Sequence, residues 1–570
     1  MLLNMPKNKI LEEISSSSSS EYYNPFPKNY KIGKTKYIIV AGSVISGSGK
    51  GIFSSSISKL LKDGGIKVEP LKIDGYFNQD AGTLNPYRHG EVFVLKDGLE
   101  CDMDLGSYER FLNQDLLKYN YLTSGMIFRN VLEKERKGKY LGRDVQFIPH
   151  VTGEVKLALR NLSLKTNAEV IVIEIGGTIG DYENSYIIEA MREFRQEEGK
   201  ENICFINISY IIKPSSLGEQ KSKPAQLGLN RLMGLGIQPD MIICRAEEPV
   251  DKKIIQKISL YSNVNSKYVT GLHNTSTVYE APLVLKNKKV DEKIVEFLNI
   301  KKFNLKKQKK ELTRWSKFVK RYTHPSKTIN IGIAGKYTGL KDSYASIIKA
   351  LEHSGTFLNT KINIKFIDTT QIKNEDQIIK IFEDIQGIIV PGGFGKRGVE
   401  GKIKCIQFAR ENNIPFLGLC FGFQMAVIEF ARHVCNLKNA NSTEIDPLCK
   451  YPVINILPEQ KELEGLGGNM RLGGHKVLIK QDSYAYQIYK QKLHTLRFRH
   501  RYEVDPKFIK QLESKGLSFS GKSPKYDIMQ ILELKNNDFF MATQAHPEFN
   551  SKPLKPEPLF LEFVRKSIKQ

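Results

Sequence analysis

The apolar residues of this chain cluster in short continuous runs, separated by glycine-rich turns and amphipathic stretches. In the first half such runs occupy residues 36–42, 68–72 and 169–175, and the last is rich in β-branched side chains. Continuous runs are typical of parallel strands buried on both faces, and residues 52–63 carry a helical pattern. The first half is therefore predicted to be a doubly wound α/β domain. Further strands are predicted at 204–212 and 241–244.

A second doubly wound α/β unit is predicted from residue 329, where apolar runs resume at 329–334 and 387–390. Between the halves, residues 301–320 are polar and rich in lysine, as expected for a linker. The first residues include six consecutive serines and predict a disordered, low-complexity extension. The predicted organisation is an extension at 1–34, a first domain at 35–300, a basic linker at 301–328 and a second domain at 329–570.

The composition predicts a cytoplasmic protein without a membrane partner. Hydrophobic residues make up 40% of the chain, and no run approaches the ~20 apolar residues of a membrane span. The N-terminus lacks the apolar core of a signal peptide and is too acidic for a transit peptide. The seven cysteines show no C-x-x-C spacing, which indicates neither a zinc site nor a disulfide framework and fits a reducing compartment.

The chain is strongly basic, with 86 Lys and Arg against 62 Asp and Glu and a net charge of +24. Such a charge favours acidic partners, and nucleic acid is one candidate. The excess is mostly dispersed lysine, however, and no nucleic-acid-binding motif accompanies it. We therefore expect no nucleic-acid partner and interpret the charge as a field that attracts polyphosphate ligands.

A glycine-rich loop lies between the first predicted strand and helix, where backbone N–H groups and the helix dipole bind phosphates. Its residues are Ser46, Gly47, Ser48, Gly49, Lys50 and Gly51. The loop departs from a Walker A motif, because Val44 replaces the first glycine and Gly51 replaces the magnesium-binding hydroxyl residue. Carboxylates must then hold the metal, and Asp104 and Glu174 are the candidates. A surface salt bridge is the alternative role for each.

The second half contains a predicted nucleophile elbow at residues 418–422, entered from the apolar run 414–417. In a Gly-x-Cys-x-Gly turn from strand to helix, the side chain of Cys420 projects from the turn. The helix dipole favours its thiolate. His546 and Glu548 follow about as far downstream as in a class I glutaminase, and this resemblance implies His546 as base and Glu548 as the residue that orients the imidazole. A buried, inert thiol is the alternative for an isolated cysteine. The pattern predicts cleavage of an amide.

Taken together, the motifs resemble the CTP synthase family over residues 35–565. The similar segments are 43–51, 72–74, 89–93, 104–111, 134–138, 174–181, 218–221, 391–401 and 499–504. The resemblance implies a P-loop-like amidoligase domain followed by a class I glutaminase domain. It also implies a reaction in which ATP phosphorylates the 4-oxygen of UTP and ammonia from glutamine displaces the phosphate to give CTP. Mg²⁺ would be the metal, GTP an activator and CTP an inhibitor.

The resemblance also assigns expected roles to individual residues. ATP would bind to the loop 46–51, Lys72 and Asp104, and Mg²⁺ would bind to Asp104 and Glu174. The residues that would bind UTP or CTP are Ser46, Asp181, Tyr182, Glu183, Lys221, Lys223, Gln226 and Lys257. Glutamine would be held by Gly393, Phe421, Gln424, Glu444 and Arg501, with N–H groups near Gly393 and Phe421 as an oxyanion hole. Pro86, His89 and Val92 would line an ammonia tunnel, and Arg397, Gly398 and Glu400 would belong to a mobile lid that responds to GTP. A surface cation is the alternative for each lysine, a structural histidine for His89, and a plain flexible loop for the lid.

The chain departs from the family pattern near the expected pyrimidine nucleotide. Gly75 stands where proline is usual, Tyr182 where isoleucine is usual, and Asn184 where serine is usual; Ser222 and Ala225 replace two threonines. We expect altered CTP inhibition with catalysis retained. An inhibition curve matching that of a relative with the usual residues would contradict this expectation.

Two other functions stay open at the level of sequence. A glutamine-dependent amidoligase with another acceptor would share this architecture, although the lysines expected to bind UTP argue against it. A non-catalytic assembly protein could retain the fold, but the presence of Lys50, Asp104, Glu174, Cys420 and His546 disfavours it. The family implies a homotetramer, a dimer of dimers with sites shared between subunits. Assembly into filaments is left open.

Overall fold

The computed structural model describes residues 26–216, 218–336, 341–456 and 470–569. The predicted extension therefore lies, for residues 1–25, outside the described residues. The described strands are β1 Lys36–Ser43, β2 Val68–Asp74, β3 Phe93–Val94, β4 Glu100–Cys101, β5 Tyr121–Thr123, β6 Val170–Ile175, β7 Ile203–Tyr210, β8 Met241–Ala246, β9 Val269–His273, β10 Lys327–Gly335, β11 Thr360–Asp368, β12 Gly387–Val390, β13 Phe416–Leu419, β14 Ala440–Ser442, β15 Tyr451–Asn455, β16 Arg471–Ile479, β17 Leu493–His500, β18 Glu503–Val504, β19 Leu517–Lys522, β20 Met529–Leu534 and β21 Phe540–Thr543.

The described α-helices are α1 Lys50–Asp63, α2 Pro86–His89, α3 Asp104–Leu112, α4 Ser124–Arg136, α5 Thr152–Thr166, α6 Ser185–Glu198, α7 Lys223–Gly234, α8 Lys252–Ser262, α9 Ala281–Asn287, α10 Val290–Phe297, α11 Leu305–Thr323, α12 Ala345–Phe357, α13 Glu375–Phe382, α14 Val399–Glu411, α15 Phe421–His433, α16 Tyr484–Tyr489, α17 Pro506–Ser514 and α18 Pro558–Ser567. In the ranges that the structure describes, no helix combines the length and apolar character needed to cross a bilayer.

The chain divides into two compact units, and the division differs from the predicted boundary at 300. The first unit holds the residues up to Asp80 and Tyr119–Ser316; the second holds Ala81–Lys118 and Lys317 onward. Residues 81–118 group with the second unit through buried contacts: Arg497 pairs with Glu109 at 2.8 Å, and the Phe93 and Phe549 rings lie 4.9 Å apart. Sequence spacing could not reveal this grouping, since Glu109 and Arg497 lie 388 positions apart in the chain.

The first unit is built on a seven-stranded sheet in the order β5-β2-β6-β1-β7-β8-β9. All its strand pairs are parallel. Alternate residues of β1 enter different apolar clusters, with Tyr37 and Ile39 on one face and Ile38 and Val40 on the other. Both faces are therefore buried, which is why the strand reads as a continuous apolar run. The prediction of a doubly wound parallel sheet is confirmed.

The second unit contains a nine-stranded sheet in the order β11-β10-β12-β13-β21-β20-β19-β16-β17. The first five strands pair in parallel, whereas β20, β19, β16 and β17 extend the sheet with antiparallel pairs. Strand β13, which leads to the expected nucleophile, lies between β12 and β21 inside the parallel part. The carboxyl ends of these strands are where ligands bind in open α/β sheets.

The stretch predicted as a linker is largely helix α11. Its Trp315 is buried and donates a hydrogen bond from Nε1 to the carbonyl oxygen of Tyr279 at 2.7 Å. The Lys59 ammonium lies 4.3 Å from the centre of the indole. Residues 26–34, expected in the extension, include Tyr30, whose hydroxyl donates to Glu198 at 2.7 Å. Trp315 and Tyr30 thus each help to attach a polar segment to the first unit.

Candidate active site

Cys420 occupies a sharp turn between strand β13 and helix α15. Its backbone has φ 51° and ψ −101°, a strained conformation for a residue with a side chain. The neighbouring glycines are required by close packing: a Cβ on Gly422 would lie 2.0 Å from the Val390 carbonyl oxygen, and one on Gly418 would lie 2.8 Å from the Ala542 methyl group. The predicted nucleophile elbow is therefore present.

His546 lies beside the thiol and is held by a carboxylate. Its Nδ1 is 2.7 Å from Glu548 Oε1, and its ring stacks on Phe549 with the centres 5.2 Å apart. Burial alone would lower the pKa of His546, but Glu548 and the hydrogen-bonded Cys420 raise it to about 10. Cys420, His546 and Glu548 thus form the arrangement that a cysteine nucleophile needs: a thiol, an imidazole and a group that orients it.

The thiol faces a cavity of about 100 Å³, well above the ~10–15 Å³ that one water molecule needs. Cys420 Sγ is 3.5 Å from the carbonyl oxygen of Arg499 and 3.6 Å from Gln544 Nε2. The cavity wall also includes His546, Glu548, Val92 and Glu91. Arg499, Gln544 and Glu91 were not predicted as site residues, although Glu91 and Arg499 stand inside motifs that carried the resemblance.

The residues expected to hold glutamine surround the same turn. Gln424, on the first turn of α15, donates to the carbonyl oxygen of Tyr502 at 3.0 Å, and its Oε1 is buried with no hydrogen-bond partner among the residues described. Burial raises the pKa of Glu444, while Arg501 and other groups near it act to lower that pKa. The N–H of Phe421 is the first of helix α15, and the first N–H groups of a helix have no partner within it.

The expected lid begins with two glycines in the left-handed region, Gly395 at φ 72° and Gly398 at φ 78°. The N–H of Gly395 donates to Glu444 Oε1 at 2.7 Å. Arg397 donates to the carbonyl oxygen of Lys336 at 3.3 Å. Glu400, exposed at the start of α14, pairs with Arg432 at 3.0 Å. The loop therefore contacts an expected glutamine-binding carboxylate directly.

The three expected tunnel residues differ in position. Val92 is nearly buried and lines the Cys420 cavity. His89 is exposed at the end of helix α2, and Pro86 begins that helix.

Buried Lys402 is a further cation near the turn, and it was not predicted. Its Nζ lies 3.4 Å from the carbonyl oxygen of Pro391 and 4.9 Å from the centre of the Phe421 ring. Burial, together with the charge of Lys336, lowers the pKa of Lys402 to about 7. An ammonium group therefore lies next to the two segments that carry the expected oxyanion-hole N–H groups.

In the first unit, the glycine-rich loop joins β1 to α1 as predicted. Val44, Gly47 and Gly49 have φ values of 82°, 68° and 86°. Lys50 begins α1, and its Nζ donates to the carbonyl oxygen of Gly177 at 2.7 Å. The Ser48 hydroxyl is buried and has no partner among the described residues. A loop with exposed N–H groups at a helix N-terminus is suited to bind phosphates.

A buried cation and two carboxylates meet at the carboxyl ends of the adjacent strands β2 and β6. Lys72 Nζ is 3.2 Å from Glu174 Oε1 and 3.7 Å from Asp74 Oδ1. Asp74 was not predicted as a site residue, though it follows Lys72 in a motif quoted above. Asp104 belongs to the second unit, where it begins α3. Across the described ranges, no cluster of three or more His, Cys, Asp and Glu side chains is arranged to hold a metal.

The expected UTP residues lie around helices α7 and α8 and the turn after β6. Lys221 pairs with Glu219, and the charges of Lys221 and then Lys257 lower the pKa of Glu219. Gln226 donates to the Ser222 hydroxyl at 3.0 Å. Asp181 accepts from the Thr178 N–H and hydroxyl. The remaining members are exposed: Ser46, Tyr182, Glu183 and Lys223.

Two of the departures from the family pattern contact each other. A Cβ on Gly75 would lie only 2.3 Å from Asn184 Oδ1. The absence of a side chain at 75 therefore leaves room for the asparagine amide, which donates to the carbonyl oxygen of Gly176 at 2.7 Å. Ala225 is fully buried in an apolar cluster with Leu229, so this substitution changes the core.

These features are those of an enzyme with a class I glutaminase unit and an α/β unit that carries a glycine-rich loop at a helix N-terminus. Residues 36–300 match the family model described as CTP synthase N-terminus, and residues 339–566 match that of glutamine amidotransferase class-I. The CTP synthase of Methanocaldococcus jannaschii is 47% identical over 538 residues, which cover 94% of this chain and 98% of that protein. Those of Pyrococcus furiosus and Saccharolobus solfataricus are each 47% identical, covering 93% of this chain and 97% and 98% of those proteins.

The chain belongs to the CTP synthase family. It is a glutamine-hydrolysing ligase that converts UTP to CTP, with ATP and glutamine as the other substrates. The expectation drawn from the sequence is confirmed, and the alternative amidoligase and the non-catalytic protein are not supported.

Proposed function

We propose that glutamine is hydrolysed at Cys420. The observation that carries this assignment is the contact of an elbow cysteine with a histidine whose Nδ1 lies 2.7 Å from a buried carboxylate. The thiolate attacks the carboxamide carbon, and the protonated His546 gives its proton to the departing nitrogen, which leaves as ammonia. Water then hydrolyses the glutamyl thioester, with His546 as base, to release glutamate and the thiol.

The surrounding groups would bind the substrate and stabilise the charge that develops on it. N–H groups near Gly393 and Phe421 would stabilise the oxyanion. Glu444 would pair with the ammonium of glutamine, Arg501 with its carboxylate, and the unpartnered Oε1 of Gln424 would accept a hydrogen bond. Ammonia would then pass along Val92, His89 and Pro86.

In the other half-reaction, the loop 46–51 would hold the ATP phosphates, and Lys50 and Lys72 would neutralise charge on the transferring phosphoryl group. The 4-oxygen of UTP takes the γ-phosphoryl group, and ammonia displaces it as phosphate to give CTP. The carboxylates Glu174 and Asp74, which lie around Lys72, are suited to Mg²⁺. The assignment of Asp104 to the metal rests on the family resemblance alone. Bound Mg²⁺ would offset phosphate charge.

We further propose how nucleotides regulate the enzyme and how its subunits assemble. The residues around Lys221, Lys223, Gln226 and Lys257 would bind the triphosphate of UTP or of inhibitory CTP, with Asp181, Tyr182, Glu183 and Ser46. GTP would activate through the lid of Arg397, Gly398 and Glu400, supported by the Gly395–Glu444 hydrogen bond. A homotetramer is supported by exposed Phe77, Leu132 and Phe147 on the first unit. The lack of C-x-x-C spacing among the seven cysteines supports a cytoplasmic location.

Replacing Cys420 by alanine tests the assignment of two separate reactions. We expect C420A to lose glutamine-dependent CTP formation by at least 1,000-fold, because the nucleophile is absent, and to keep ammonia-dependent CTP formation within twofold. Cys449→Ala, at a partly exposed thiol outside the site, is the matched control. Equal loss of both activities in C420A would contradict separate sites. The ratio of glutamate released to CTP formed should be one in the unmodified enzyme.

A further inference from the structure

Glu91 is a carboxylate in the wall of the Cys420 cavity that the mechanism above does not use. It lies two positions before the strand β3, and the cavity brings it together with Cys420, His546 and Glu548. Its Oε2 accepts from the N–H of Ser346 at 2.9 Å and from the Ser346 hydroxyl. Those two bonds hold the carboxyl group in one orientation and leave Oε1 without a hydrogen bond to any residue that the structure describes.

The charge of Glu91 is set by its surroundings. Burial and the neighbouring Glu548 raise the pKa of Glu91 to about 7, against the opposing effects of Ser346 and Arg110. At pH 8 the group is therefore mostly ionised and acts only as an acceptor. Glu548 is engaged through its Oε1, which contacts His546, while its Oε2 is buried with no hydrogen-bond partner among the described residues. Glu91 differs from Glu548 in having no contact with the catalytic histidine, so its Oε1 can receive a proton donor from a bound ligand without disturbing the Cys420–His546–Glu548 arrangement.

We propose that Glu91 recognises the amide nitrogen of glutamine and sets the preference of this site for a carboxamide over a carboxylate. The proposal rests on the assignment of glutamine hydrolysis to Cys420. The side-chain amide of glutamine presents two N–H donors beside the carbon that the thiol attacks, whereas glutamate presents only acceptors. A carboxylate acceptor at this position binds the side-chain amide of glutamine and repels the side-chain carboxylate of glutamate. A site built to pair with an N–H discriminates strongly against an analogue that lacks it.

The same contact favours turnover. After the nitrogen has left, the thioester is hydrolysed to a carboxylate, which then faces the negative charge of Glu91. Product glutamate is destabilised where substrate glutamine was stabilised. Glu91 is accordingly a specificity-determining residue for the glutaminase reaction, with no covalent role of its own.

Alkylation of Cys420 at pH 8 tests the proposal without using CTP formation. Iodoacetamide carries a carboxamide and iodoacetate a carboxylate, and the two alkylated forms of each cysteine are separated by peptide mass spectrometry. The partly exposed Cys449 is the internal reference. We expect the iodoacetamide-to-iodoacetate rate ratio at Cys420 to exceed that at Cys449 by about tenfold or more, and E91Q to bring it within threefold of that reference.

Matched variants separate recognition from a structural role. Glu352→Gln makes the same chemical change on helix α12, at a carboxylate paired with Lys349, and should leave the ratio unchanged. If Glu91 only caps the N-terminus of α12, E91Q will lower the melting temperature without altering the ratio, and the proposal fails. E91Q should also strengthen inhibition by glutamate about tenfold and raise the KM for glutamine.

The alkylation experiment also distinguishes failure of the Glu91 proposal from unfolding of the variant and from a wrong glutaminase assignment. If E91Q exposes buried Cys405 to alkylation, the variant has unfolded, and Ser346→Ala is used instead. Losing the hydroxyl bond to the carboxylate should lower the ratio about threefold, and an unchanged ratio overturns the proposal. If glutamine does not protect Cys420 in the unmodified enzyme, the glutaminase assignment is wrong; protection with an unchanged ratio in E91Q refutes only the role of Glu91.

Discussion

At the scale of single residues, the protonation of His546 depends on the carboxylate beside it. Glu548 is nearly buried and lies 2.7 Å from Nδ1. The pKa of His546 is raised from its ordinary value of 6.5 to about 10. Protonated His546 therefore stabilises the folded chain, and this contribution to the free energy of unfolding is complete below pH 6.5. That stabilisation is lost as the pH rises toward 10.

We expect Glu548→Gln to lower the pKa of His546 and to reduce glutamate release about 100-fold at pH 8. The loss should be smaller at pH 6, where the imidazole is protonated even without the carboxylate. Glutamate release between pH 6 and pH 9 measures this, and unchanged ammonia-dependent CTP formation controls for folding. A loss that is independent of pH would contradict the proposed role.

The contact between Gly75 and Asn184 is a second residue-scale feature that can be tested. A methyl group at 75 meets the asparagine amide at 2.3 Å, so Gly75→Ala should cost about 1–3 kcal/mol. Adding Asn184→Ser should recover part of that loss, with a coupling energy of about 0.5–3 kcal/mol. Denaturant unfolding measures both. Gly234→Ala, where nothing lies within 4 Å of the added Cβ, is the control; strict additivity would refute the contact.

At the scale of elements, the proposed lid and helix α14 join at a glycine that has little room. Gly398 is the N-cap of α14, and a Cβ there would lie 2.5 Å from Thr369 Oγ1. Gly395 has a similar positive φ, but nothing lies within 4 Å of its Cβ position. A side chain would therefore meet the same backbone strain at both glycines, but only at Gly398 would it also meet a neighbouring atom.

We expect Gly398→Ala to weaken the activation of glutaminase by GTP at least fivefold, because the added methyl group displaces the lid from Thr369. Gly395→Ala introduces backbone strain without a steric contact, so its effect on the activation by GTP should be clearly smaller. GTP titrations of glutamate release compare the two variants. Equal effects would mean that backbone strain, and not the Thr369 contact, positions the lid.

At the scale of the whole molecule, the net charge of +24 favours encounter with triphosphates. Exposed charges are screened over about 10 Å at 0.1 M salt and about 3 Å at 1 M salt. We expect the KM for UTP to rise severalfold between 0.05 and 0.5 M potassium chloride, with kcat little changed. Steady-state kinetics with ammonia as nitrogen source measure this. Glutamine, a zwitterion with no net charge, serves as the comparison, and an equal salt effect on its KM would exclude steering.

The sequence by itself determined the strand runs, the strained turn at Cys420 and the glycine-rich loop after β1, because buried parallel strands and strained turns restrict composition locally. Continuous apolar runs correctly predicted β1, β6 and β12, and the flanking glycines predicted the turn at Cys420. His546 and Glu548 could be found because the family pattern places them at a set distance downstream.

Only the tertiary structure decided which distant side chains share a cavity or a unit. Glu91 lies 329 positions before Cys420 in the sequence, and no periodicity links them. The antiparallel strands β16 to β20, the packing of α11 through Trp315 and the grouping of residues 81–118 with the second unit depend likewise on long-range contacts. Burial and pairing between remote residues are properties of the folded chain, so they cannot be predicted from local patterns of polarity.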